Sequence, residues 1–471
     1  MAPAEMQPSL LLRHIGILVT LNKSLGTLRD AAIYVRANQI CWVGRTVELP
    51  EEYAGASTVK DLPDRIVIPG LVNTHHHMFQ CLTRCVAQES QLFGWLTTLY
   101  PAWEFLTGGD VYVGCKVAMA ELIMSGCTTT SDHHYVFPND VQLDDCIRAG
   151  RDIGIRFHPT RGAMTLGKSK GGLPPDTLCE DEADVLEDMR RLIAQYHDNS
   201  KYSMLRIGLS PVSPFSVEEE LLKTTANLAK QNPGVRLHFH LAENQEDIDY
   251  AQEKYGCRPG EFIRRVGWAV PEAWYAHCCK LDDAEMKQFA DNSIGVAHCP
   301  SSNMRLASGI APVRKMLDMG VNVGLGVDGS ASNDCGHMLA EVRQTMLLQR
   351  AGGNPQALTA REALDMAVKG GARNLGRDDI GEIAPGFAAD LVAWRTDTLG
   401  FSGCSPDPVA ALVFCAPSLG FVDLSIINGS IIVEDGKFTS MDLQGLLAEH
   451  AEVSQKICSR IKPQAPHDPI K

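Results

Sequence analysis

Apolar residues recur in two textures along this chain. At both ends they form short β-rich runs, 10–21 and then 31–43, where Gly44 breaks the pattern. Near the other end Ala389-Asp390-Leu391-Val392-Ala393-Trp394 reads as a strand. Runs 424–427 and 430–434 there flank Asn428-Gly429, a strong two-residue hairpin turn. The long middle differs. Eight short apolar runs, each ending in polar residues, fall at 66–77, 128–135, 155–162, 205–212, 235–243, 274–278, 294–300 and 321–329. Helical patterning, as in 181–196 and 216–230, separates most of them. This alternation predicts an α/β fold, a (β/α)8 TIM-type barrel with function at the C-terminal ends of its strands. The two β-rich ends most simply form one discontinuous β-sandwich. The expected boundaries are 1–67 and 385–440 for the sandwich, 68–384 for the barrel, and 441–471 for a C-terminal amphipathic helix and polar tail. Thr359 and Glu362 match a capping box opening a helix over 359–368.

Composition narrows the function classes. With 471 residues, 45% of them hydrophobic, and a mean hydropathy of -0.09, the chain suits a soluble globular protein of more than one core. A formal charge of -14 and no concentrated basic face argue against nucleic-acid binding and a polybasic membrane anchor. The stretch 117–124 is short for a membrane span and carries Glu121, so no membrane association is expected. Met1-Ala2-Pro3-Ala4-Glu5 lacks the basic and apolar regions of a secretory leader. Fifteen cysteines without a Cys-x-x-Cys pair then point to free thiols and a cytoplasmic location. A homo-oligomer, by default a dimer, is expected.

The chemistry sits at the ends of the apolar runs. In His75-His76-His77, alternate residues of a strand share a face, so His75 and His77 present two imidazoles together. His240 closes another run, with His238 deeper on the same face as a core histidine. Asp328 ends a fourth motif, Gly326-Val327-Asp328-Gly329. Three imidazoles and a carboxylate suit a borderline divalent metal, zinc first and iron also accommodated. Glu243, three residues past His240, is placed to carry protons, against the plainer reading of a surface acid beside Glu246 and Asp247. His277 reads as a neighbour that polarises the developing oxyanion rather than a ligand, and Asp328 doubles as a proton acceptor. The fourth run offers no Lys to bridge two metals, so one metal per chain is expected.

Four motifs carry a resemblance: Pro69-Gly70-Leu71-Val72-Asn73-Thr74-His75-His76-His77, His240-Leu241-Ala242-Glu243, His298-Cys299-Pro300-Ser301-Ser302-Asn303 and Gly324-Leu325-Gly326-Val327-Asp328-Gly329. The chain resembles the amidohydrolase superfamily, in its deaminase and chlorohydrolase branch. That resemblance implies zinc on His75, His77, His240 and Asp328, proton shuttling by Glu243, and polarisation of water by His277. The stretches 74–84, 129–135 and 171–176 are most similar to the 8-oxoguanine deaminases, which implies an aminated purine-like substrate. Other pterins, pyrimidines or triazines, or a halide leaving group, are the alternatives, with a non-catalytic scaffold behind them. For a flat heteroaromatic substrate the expected contacts are Gln80, Trp103, Tyr135, Arg161 and His298, which supply stacking faces and in-plane hydrogen bonds. Rim packing for Trp103 and a structural ion pair for Arg161 are equally open.

Overall fold

The computed structural model describes residues 8–461; the opening residues 1–5 and the end of the polar tail lie outside them. Five strands come first: β1 (Ser9–Val19), β2 (Thr27–Arg36), β3 (Gln39–Arg45), β4 (Thr58–Asp61) and β5 (Arg65–Pro69). Eight follow: β6 (Leu71–Asn73), β7 (Cys127–His134), β8 (Arg156–Ala163), β9 (Gly208–Pro211), β10 (Arg236–Leu241), β11 (Ala273–His277), β12 (Gly295–His298) and β13 (Asn322–Leu325). The last four are β14 (Leu391–Arg395), β15 (Leu424–Ile427), β16 (Ser430–Glu434) and β17 (Lys437–Phe438).

Strands β6 to β13 close into a parallel barrel in sequence order, with Leu325 of β13 paired to Asn73 of β6. They are buried on both faces, which is why their sequences read as continuous apolar runs. The remaining nine strands form one sheet in the order β17-β16-β15-β14-β5-β1-β2-β3, with β4 also on β1. Both ends of the chain thus meet in one sheet, around a core that includes Leu12, Ile33, Ile40, Leu391 and Ile426.

The run read as one strand over 66–77 is two strands in two sheets. β5 pairs antiparallel with β14, and β6 belongs to the barrel. The break is at Gly70, where a Cβ would lie 2.0 Å from Thr128 Oγ1. No larger residue fits there. Gly70 N–H donates to Asp390 O at 3.0 Å, which ties the pivot to β14. A second weld is buried: Arg156 of β8 donates Nε and Nη2 to Asp390, both at 3.0 Å, and Nη2 also to Asn428 Oδ1. Bidentate geometry and full satisfaction are what make such a buried pair tolerable.

Asn428 and Gly429 take φ of 50° and 84°, the left-handed pair a tight hairpin needs. Thr359 caps the helix Ala360–Asp365 reciprocally with Glu362, and the helix continues through a π turn, Met366–Gly370. The C-terminal helix Leu443–Cys458 packs on the turn after β6, where Ser454 Oγ donates to Leu82 O at 2.8 Å. All fifteen cysteines are free thiols. Among the described residues no helix is long and apolar enough to cross a membrane.

Candidate metal centre and active site

Four barrel strands deliver polar side chains to one point on the C-terminal rim. Asp328 Oδ1 lies 3.2 Å from His75 Nε2 and 3.4 Å from His77 Nε2, and His77 Nε2 lies 3.0 Å from His240 Nε2. His277 Nε2 stands 3.6 Å from Glu243 Oε2 and 4.0 Å from Asp328 Oδ2. Backbone strain collects here. Ala242, His277 and Asp328 hold left-handed φ of 50°, 71° and 65°, a conformation that non-glycine residues keep only where the surroundings impose it. Gly329 lets Gln80 close in, since a Cβ there would lie 1.8 Å from Gln80 Oε1.

The hydrogen bonds behind each ring fix its tautomer. His77 Nδ1 donates to His133 O and His240 Nδ1 to Val212 O, both at 2.7 Å. His238 Nδ1 donates to Trp274 O at 2.8 Å, so its Nε2 must accept from His75 Nδ1, 2.7 Å away. His75 and His77 therefore turn Nε2 lone pairs toward Asp328, and His240 turns its own toward His77. Burial keeps the rings neutral: it pushes His77 down to about 3 and His240 to about 4, and His75 well below the usual imidazole range. His75 Nε2 is buried with no hydrogen-bond partner. Facing lone pairs at 3.0 Å repel unless a cation separates them. Zn–N bonds of about 2.0–2.1 Å place tetrahedral donors about 3.3 Å apart, which matches these separations. The residues fit a zinc-like ion.

Asp328 is built to stay ionised. Burial favours its neutral form, yet its carboxyl lies well below the usual carboxylate range, and the donors around it suit the charged form. Gly329 N–H donates to Oδ1 at 2.7 Å, and Ser302 and Ser332 hydroxyls to Oδ2 at 2.5 and 3.0 Å. Glu243 is the opposite case. Burial, and then the charge of Asp328, raise its carboxyl to about 8, with only Ser308 Oγ donating to it, at 3.2 Å. The environment thus pushes the two acids apart, Asp328 toward its charged form and Glu243 toward its neutral one.

Above this floor lies a small pocket with a mostly apolar lining. Gln80 and Tyr135 line it, with Gln80 Nε2 donating to Tyr135 Oη at 3.1 Å and Gln80 Oε1 unpartnered. Three expected contacts lie elsewhere. Arg161 is spent on Glu180 (2.6 and 3.0 Å), Asp188 (2.6 Å) and Gly162 O, with its guanidinium over the Phe137 ring. Trp103 is fully buried against Phe79 and Trp95, donating to Thr83 Oγ1 at 3.3 Å. His298 is fully buried and absent from the pocket wall. The aromatic wall comes instead from Trp95, Tyr100 and Phe215, which sequence reading misses. Trp95 and Trp103 share one helix, Leu92–Trp103, and periodicity cannot say which face looks inward. Sequence reading also passes over His133, whose ring stacks on His240 at 4.9 Å while its Nε2 donates to Ser210 O at 2.8 Å. Its place at the end of run 128–135 was the available signal.

The chain is similar to known proteins in sequence and in structure. The model of the amidohydrolase family matches residues 66–432. An 8-oxoguanine deaminase of Pseudomonas aeruginosa is 44% identical over 83% of this chain and 87% of its own length. An isoxanthopterin deaminase from an unknown prokaryotic organism is 32% identical over 98% of this chain and all of its own. The crystal structure of an atrazine chlorohydrolase from Arthrobacter aurescens, complexed with zinc, superposes with a TM-score of 0.88 at 32% identity, covering 94% of this chain and all of that one.

Proposed function

The chain belongs to the amidohydrolase family, and from that premise we propose that it is a metal-dependent deaminase that hydrolyses 8-oxoguanine to urate and ammonia. One metal ion per chain, zinc by preference and iron as the second choice of this donor set, would be held by His75, His77, His240 and Asp328, with His133 also within 4.8 Å of the three histidines. Such an ion supplies Lewis-acid charge that lowers the pKa of water from about 15.7 to roughly 7.

The remaining steps fall to the chain's own groups. Water attacks the amino-bearing carbon, and Asp328 accepts its proton. His277, beside both carboxylates, stabilises the oxygen that becomes negative. Glu243 protonates the adjacent ring nitrogen, and Asp328 passes the proton it took from water to the amino group. Glu243 then takes the hydroxyl proton as the carbonyl forms, which returns both acids to their starting states. The C–N bond breaks, ammonia leaves and a carbonyl remains. Gln80 Oε1 is free to accept a ring N–H, while Trp95 and Tyr100 offer faces to a flat ring.

The observation that carries this reading is the buried carboxyl of Glu243 at the pocket floor, 3.6 Å from His277 Nε2. Ammonia needs a proton in order to leave, whereas chloride does not. The test measures ammonia and chloride release from 8-oxoguanine, guanine, isoxanthopterin and a chlorotriazine. The expected result is the highest kcat/KM on 8-oxoguanine, with urate and ammonia in equal amounts. Faster chloride release, or faster turnover of the pterin, would overturn the substrate assignment.

A further inference from the structure

Beside His75, His77 and His240, with His133 behind them, stands His277, and it is held the other way round from those first three. Behind His75, His77 and His240 stand acceptors, two backbone carbonyls and the Nε2 of His238. Behind His277 stands a donor. Asn303 Nδ2 lies 2.9 Å from His277 Nδ1, and both residues are buried. With its NH2 group placed toward the ring and its Oδ1 buried without a partner, Asn303 donates, so His277 Nδ1 accepts and the ring proton sits on Nε2. That Nε2–H faces the space between Glu243 Oε2 and Asp328 Oδ2.

We propose that Asn303 is a positioning residue that selects the Nε2–H tautomer of His277, making that ring a hydrogen-bond donor to the reacting oxygen where its three neighbours are ligands.

Local structure supports this. Asn303 lies in the short helix Pro300–Arg305 that follows β12, and its N–H donates to Cys299 O at 3.0 Å. Its carbonyl accepts from Ser308 N–H at 2.8 Å, and Ser308 Oγ is the donor to Glu243 Oε1. The side chain of Asn303 thus orients one proton-handling group, and its main chain anchors the residue that orients the other. The left-handed φ of 71° at His277 shows how firmly the ring is held in line with Asn303. A wrong tautomer leaves geometry intact yet costs on the order of 10²–10⁴ in turnover where a donor is needed.

The inference rests on the proposed role of His277 in deamination, so the experiment has one arm that needs no substrate. Long-range 1H–15N correlation spectra of the zinc-loaded, histidine-labelled protein report each ring's tautomer, with His277 assigned by its loss in His277→Gln. The wild type should show His277 with Nε2–H and the three ligand rings with Nδ1–H. Asn303→Asp offers an acceptor in the same volume, so His277 should switch to Nδ1–H. On 8-oxoguanine, kcat should then fall about 100-fold or more, with zinc content unchanged and KM within about threefold. Asn303→Ala, which removes the bias without reversing it, should lose less, about tenfold. A merely structural asparagine would give the reverse order, because Asp is the closer isostere; that order, or a wild-type His277 carrying Nδ1–H, overturns the proposal. If the wild type is inactive on 8-oxoguanine, the substrate reading fails while the spectra still decide the tautomer.

Discussion

The floor and the wall of the active-site pocket are built by different means. Floor groups sit at or just beyond the ends of β6, β10, β11 and β13, and each is gripped from behind: His240 by Val212 O, His77 by His133 O, Asp328 by Gly329 N–H and two hydroxyls. Most of the wall comes from the helix Leu92–Trp103 and from loops that carry Phe215 and Leu306. Chemistry is placed where the barrel fixes the backbone, and shape is placed where side chains can be exchanged without disturbing it. Changes to the floor should therefore act on metal and kcat, and changes to the wall on KM and substrate choice.

The largest effect should come from Asp328→Ala. It removes the one carboxylate of the donor set and leaves the Ser302 hydroxyl without its acceptor. Metal content should fall well below one per chain and ammonia release by about 10³-fold or more. A variant that kept full metal and activity would break the floor as drawn. Next is Glu243→Gln. It keeps every ligand and loses the carried proton, so metal should remain while kcat drops about 10²–10⁴-fold. Metal analysis beside the rate assay separates the two cases, and rates near wild type in the Glu243→Gln variant would remove Glu243 from the mechanism.

The same contrast explains how much was legible in the sequence. The floor could be read because strand ends carry their chemistry in short, ordered motifs, so His75, His77, His240, Glu243, His277 and Asp328 arrive at one rim in a closed barrel. The wall could not, because which face of a helix meets a pocket depends on packing far along the chain. Trp103 and Trp95 lie eight residues apart on one amphipathic segment, and only the structure shows that Trp95 faces the cavity. The split at Gly70 was hidden for a related reason. An apolar run reads the same whether it serves one sheet or two, and only contact with Thr128 shows where it must turn.

A wall substitution gives the smaller, complementary effect. Trp95→Ala removes a large aromatic face from the pocket, although its indole Nε1 also donates to Ala331 O at 2.8 Å. KM for 8-oxoguanine should rise about tenfold, roughly 1.4 kcal/mol of lost binding, with kcat and zinc content nearly unchanged. A loss confined to kcat would mean that the wall also positions the reacting carbon, and the division would blur.

Arg161 provides the smallest catalytic effect and the sharpest check on where the pocket ends. Its guanidinium is 3% exposed and is committed to Glu180, Asp188 and a backbone carbonyl. Lysine keeps the charge but cannot reproduce the fork that spans two carboxylates, so one of them loses its partner. Arg161→Lys should therefore lower Tm by several degrees in a thermal melt while KM and kcat stay within about twofold. Burial decides this outcome, since a side chain held by three partners and absent from the pocket wall is not placed to meet a substrate. A KM rising tenfold with an unchanged melt would put Arg161 back on the wall and show that its ion pairs open when substrate binds.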